Sequence, residues 1–120
     1  MEDIFTQYVQ EAIDHIPKHY QEKMKHVAIL IDEAPSEAQR TRLGLRSCDA
    51  LFGLYEGVPL SRRGGNTLQL PPDIITIFKH PMLELFTDTA TLKKQIYETL
   101  WHEVAHFFGL NHDQIHAAKK

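Results

Sequence analysis

Residues 87–113 read TDTATLKKQIYETLWHEVAHFFGLNHD. Leu92, Ile96, Leu100, Val104 and Phe108 recur every four residues, the spacing of one face of an α-helix. Thr87-Asp88 supplies an N-cap, since a short polar side chain accepts from the unpaired N–H groups of a first turn. Gly109 supplies the C-cap, because it enters the left-handed conformation without a Cβ penalty. The stretch therefore predicts one long helix ending at Phe108, with every other element packed around its apolar stripe.

The end of this helix carries the chemistry. His102 and His106 lie four residues apart, so both imidazoles leave the same face and can share one metal ion. Zinc suits such nitrogen donors, at about 2.0–2.1 Å in a tetrahedral site. Glu103 does not fall with them. At about 100° per residue it lies between Leu92 and Ile96, on the apolar stripe. A carboxylate there is costly unless something offsets its burial. A water polarised by the metal is such a partner: Glu103 takes its proton as it attacks a carbonyl carbon, then passes the proton to the leaving amine.

Gly109 lets the chain turn off the helix, and His112 can swing back as a third ligand. Three protein ligands leave a fourth position for water, as a catalytic zinc site requires. HExxH alone arises by chance in roughly one sequence in twenty-five of this composition, and adding Gly109 and His112 lowers that to about one in ten thousand. The bland alternative, a histidine-rich exposed helix end, leaves Glu103 on the apolar stripe unexplained.

The remaining segments set the fold class. Ile4, Phe5, Tyr8, Val9, Ala12, Ile13 and Ile16 form a second helical stripe, closed by Pro17. KHYQEKMKH has room for one short helix, and residues 36–43 for a turn or another. Val27–Ile31 reads as a buried strand, and LFGLYEGVPL as a second strand. Ile74–Phe78 gives a third strand, which the preceding Pro71-Pro72 assigns to a sheet edge; Pro81–Phe86 is short and helical. The expectation is an α+β domain spanning residues 1–120, a small mixed β-sheet packed on helices.

Composition narrows the partners. At 120 residues the chain suits one domain that folds without staples. A formal net charge of −3, with only Arg62-Arg63 as a loop-like basic pair, argues against nucleic acid. Cys48 is the only cysteine, so no internal disulfide forms and a reducing compartment is expected. No apolar run approaches a membrane span, and the N-terminus lacks a signal-peptide pattern. The expected location is the cytoplasm, away from membranes, with a peptide or protein substrate and an undefined oligomeric state.

HEVAHFFGLNHD resembles a zincin with the longer HExxHxxGxxH pattern. The Ile16-Pro17 helix end, VAILIDEAP, LFGLYEGVPLSRRG and PDIITIFKHPM extend the likeness. Nearly end to end, the chain resembles the small bacterial zincin-like metallopeptidases, a minimal matrix-metalloprotease-like domain. That resemblance implies a compact zincin fold, Zn2+ held by His102, His106 and His112, and Glu103 as general base. One departure stands out: metzincins carry a methionine turn after the third ligand, and no Met follows His112 here. Asp113 is the reserve third ligand, and His116 a poorer one.

Other residues are weighed as follows. Ile74–Phe78 is a candidate border of the cleft, pairing with extended substrate. His80 follows it and suits the surface, as do His15, His19 and His26. Tyr55 and Tyr97 suit buried aromatic roles better than oxyanion stabilisation, Asp32 a strand-end turn better than ligand orientation, and Cys48 a small buried hydrophobe. Two other functions compete with peptide hydrolysis. A metal-dependent endoribonuclease uses three histidines at the spacing of His102, His106 and His112, but places a small residue where Glu103 stands. A non-catalytic zinc module would close its coordination sphere.

Overall fold

The computed structural model describes residues 3–45, 50–60 and 71–110. Its helices are α1 (Ile4–His15), α2 (Lys18–Lys23), α3 (Glu37–Leu43), α4 (Lys79–Leu85) and α5 (Thr89–Phe108). The strands are β1 (Val27–Asp32), β2 (Gly53–Glu56) and β3 (Asp73–Phe78). They form one sheet in the order β1-β3-β2, with β1 parallel and β2 antiparallel to β3. The expected α+β architecture with a small mixed sheet is therefore observed.

α5 forms as its sequence dictates. Asp88 caps it, the carboxylate accepting from Thr91 N at 2.9 Å. At the other end Gly109 adopts φ 79°, and Leu110 N donates to Ala105 O at 3.0 Å. That six-residue closure is the Schellman arrangement, and it needs a residue tolerant of positive φ. Leu92, Ile96, Leu100 and Val104 are buried as expected. The last position of the stripe differs: Phe107 is buried and Phe108 only partly so. Steps of four drift about 40° each around the helix, so Phe107 falls in line with Ile96 and Leu100 and Phe108 falls off the stripe; Tyr20 of α2 then covers Phe108, its ring edge-on to both Trp101 and Phe108 at 5.1 Å between centroids.

α1 packs its Phe5, Val9 and Ala12 against α5, while Ile75 and Ile77 of β3 join the same core. The expected α1 stripe is too broad, because Ile4 is exposed. Asp3 caps α1 by accepting from Thr6 N at 2.8 Å, and its other oxygen accepts from Lys79 Nζ at 2.7 Å. α1 is thereby tied to the start of α4.

The edge assignment of the third strand is corrected. β3 is the central strand, paired on both sides. Pro71 and Pro72 stand before its first residue and remove no ladder hydrogen bond. The nearly continuous burial of DIITIF is what a strand enclosed by neighbours requires. β1, whose residues alternate between half-buried and exposed, is a true edge. The second strand is also shorter than LFGLYEGVPL, only Gly53–Glu56.

The Asp3 contacts give a pH signature. Its hydrogen bond with Lys79, then those with Thr6, lower the carboxyl from 3.8 to about 2. A depressed carboxyl stabilises the fold above its unfolded value and loses that contribution as pH falls through its folded one. The wild type is therefore expected to lose thermal stability more steeply than Asp3→Ala between pH 3.8 and about 2. Unfolding temperatures of both proteins across that window check this.

Candidate metal centre

His102 and His106 emerge together from the last turns of α5. Their Nε2 atoms are 3.1 Å apart, with ring centroids at 4.6 Å. A tetrahedral ion with bonds of about 2.0–2.1 Å holds neighbouring donors about 3.3 Å apart, so this pair fits such an ion with little adjustment. His102 is half-buried and His106 exposed, which puts the pair at the protein surface. Among the described residues no set of three His, Cys, Asp or Glu side chains converges on a metal position. The expected third ligand His112, its reserve Asp113 and the poorer candidate His116 lie outside the described residues, as do Cys48, Arg62 and Arg63.

Glu103 is buried between α5 and β2, as its place on the apolar stripe requires. Its Oε1 accepts from the backbone N–H of Tyr55 at 3.0 Å and lies 3.8 Å from His106 Nδ1. Burial raises its carboxyl from 4.5 to about 7, against the opposing effect of the Tyr55 hydrogen bond. A carboxylate near neutrality is well matched to taking and returning a proton at physiological pH.

The strand whose backbone reaches this carboxylate is β2, and β3, paired on both sides, has no open edge for an extended substrate. Phe78 N donates to Phe52 O, which makes that pair and the alternate ones along β2 the hydrogen-bonded pairs of the antiparallel ladder. Leu54 and Glu56 turn their backbone groups toward β3, and Gly53 and Tyr55 turn theirs outward. The outward N–H of Tyr55 is the one that reaches Glu103.

Two further residues position Glu103 without appearing in any motif. A Cβ on Gly53 would stand 2.6 Å from Thr99 Cγ2 and 3.3 Å from Glu103 Cγ, so only glycine lets β2 lie this close to α5. Tyr55 is held at both ends. Its hydroxyl donates to Asp73 Oδ1 at 2.7 Å, and its ring meets Phe107 edge-on at 5.9 Å. The hydroxyl thus serves the scaffold, in line with the buried aromatic role expected for it. A glycine at the start of a strand was the available signal for close backbone approach; the Tyr55 contact is backbone-mediated and leaves no side-chain signature.

The other weighed residues lie elsewhere. His80 is exposed and pairs with Glu84 at 2.8 Å. His19, His26 and Asp32 are exposed, Asp32 at the end of β1. His15 accompanies Tyr97 on the far side of α5, at 6.4 Å between rings.

With this geometry in place, the comparisons with known proteins fall into line. The family model of zincin-like metallopeptidases matches residues 24–120, and the chain belongs to that family. Among curated proteins, none matches the sequence. Of solved structures, a conserved hypothetical protein from Thermus thermophilus shares the fold at a TM-score of 0.55 and 18% identity, covering 97% of this chain and 96% of its own.

Two outcomes are expected. Gly53→Ala should destabilise the protein by about 1–3 kcal/mol through overpacking. Adding Thr99→Ser removes the opposing methyl and should recover most of that loss, which a double-mutant cycle measures. Separately, a raised carboxyl means that the folded state prefers the protonated acid. In metal-free protein the Glu103 contribution should therefore be fully present below pH 4.5 and be lost, to the order of 3 kcal/mol, as pH rises through about 7. Glu103→Gln should flatten the profile in that window, as denaturant titrations of the two proteins would reveal.

Proposed function

We propose that this protein is a zinc-dependent metallopeptidase in which His102, His106 and His112 hold the metal and Glu103 is the general base. The observation that carries the reading is a buried carboxylate with one oxygen engaged, next to two imidazole nitrogens already at metal-ligand separation. Family membership supports it from outside the site. When bound, the ion supplies an acidified water and polarises the carbonyl to be attacked.

The chain's own residues do the remainder. Tyr55 N–H fixes Glu103 Oε1, which leaves Oε2 to take a proton and return it to the amine leaving group. Burial keeps that proton near balance at neutral pH. Among the described residues β2 pairs with β3 alone, and it gives the outward N–H of Tyr55 to Glu103, so this strand positions the base. Gly53 brings it directly over the Glu103 side chain.

Elemental analysis of tag-free protein is expected to find about one zinc per chain, lost in His102→Ala. Glu103→Ala should retain the metal and lower hydrolysis of a responsive peptide from a library by roughly 10²–10⁴-fold. Full turnover in Glu103→Ala would remove the general-base role. Absence of zinc, with none taken up on addition, would remove the reading altogether.

A further inference from the structure

α1 and the first half of α5 line an open cleft of about 440 Å³. That volume is within the range of small-molecule sites, roughly 300–1,000 Å³. It is separate from the metal centre. At about 100° per residue, Lys93 and Tyr97 point about 180° around α5 from His102 and His106. α1 also lies outside the residues that match the family, so one wall of this cleft comes from a helix the match does not cover.

The lining has a definite chemistry. Ala12 forms an apolar floor, where a larger side chain would fill the space between the helices. Tyr8 on α1 and Tyr97 on α5 are both half-buried and present aromatic surface from the two sides. Lys93 spans the gap: its Nζ lies 4.7 Å from the Tyr8 ring centroid and 3.4 Å from Glu11 Oε2. It therefore neutralises the one acidic side chain in the cleft. Lys94 stands in no ion pair among the described residues, so its charge is uncompensated there. His15 Nδ1 lies 2.7 Å from Glu11 O, a carbonyl that can only accept, so Nδ1 carries the proton and ties the ring to α1 at the rim of the cleft. On a chain of net charge −3, this is a small cationic cleft with aromatic walls.

From this geometry we infer that the α1–α5 cleft binds a small aromatic carboxylate. The flat ring lies against Tyr97 over Ala12, with Lys93 kept over Tyr8, and the carboxylate meets Lys94. Aromatic pairs contribute beyond buried area, and a hydrogen bond to a charged group is stronger than a neutral one. The site does not depend on the peptidase reading, and the two can fail separately.

The test is amide chemical-shift mapping of the full chain with 2-naphthoate, alongside its neutral amide, 2-naphthamide. The acid should shift residues of Tyr8–His15 and Lys93–Tyr97, and bind more tightly than the amide. Lys94→Ala, an exposed substitution that leaves the core intact, should weaken the acid about tenfold and leave the amide unchanged. His102→Ala should leave both unchanged. Three results would overturn the inference: no shifts in α1 and the first half of α5, equal binding of acid and amide, or shifts confined to residues around His102 and His106.

Discussion

One contact organises this protein: β2 laid directly against α5, with the backbone of Tyr55 donating to the carboxylate of Glu103. A carboxylate on the apolar face of a helix is a liability, because burial withdraws the water that would stabilise its charge. Here a strand edge restores one hydrogen bond, and glycine at position 53 lets the two backbones come close enough. Asp73 holds the tyrosine hydroxyl, and Phe107 supports its ring. The sheet is thus more than a platform for the helix. Its register sets which oxygen of Glu103 is engaged and which is left for chemistry.

α5 serves two masters, and the helical repeat keeps them apart. Leu92, Ile96, Leu100 and Val104 face the core, while His102 and His106 face outward near the surface. Glu103 occupies the inner face between these roles. The helix can therefore be rigid, because it is packed from both α1 and the sheet, and still present two imidazoles to solvent. The two Nε2 atoms stand 3.1 Å apart on that helix.

The sequence disclosed those parts that rest on local periodicity or capping. The four-residue stripe, Asp88 and Gly109 defined α5, and the burial of Glu103 followed from its angle on the wheel. What rests on long-range pairing was less legible. Pro71-Pro72 suggested an edge for β3, yet prolines before a strand constrain only its entrance, and the order β1-β3-β2 places it centrally. The same shift left β2 as the strand whose backbone reaches the carboxylate. Phe108 continued the stripe by steps of four, but such steps drift about 40° each, so Phe107 lies inside and Phe108 is half-buried under Tyr20. The Tyr55 contact could not be read, since a backbone N–H is common to nearly every residue.

The pairing of α1 with α5 also constrains how the molecule is made. The two helices share a core, yet 73 residues lie between the end of α1 at His15 and the start of α5 at Thr89. At roughly 5–20 residues per second on a ribosome, α1 waits on the order of 4–15 seconds before its partner helix begins to emerge. An isolated helix of this length is marginal in water. During that interval Phe5, Val9 and Ala12 have no native surface to cover them, so the nascent N-terminal segment is the stretch most exposed to chaperones, proteases and misassociation before the last helix closes the fold.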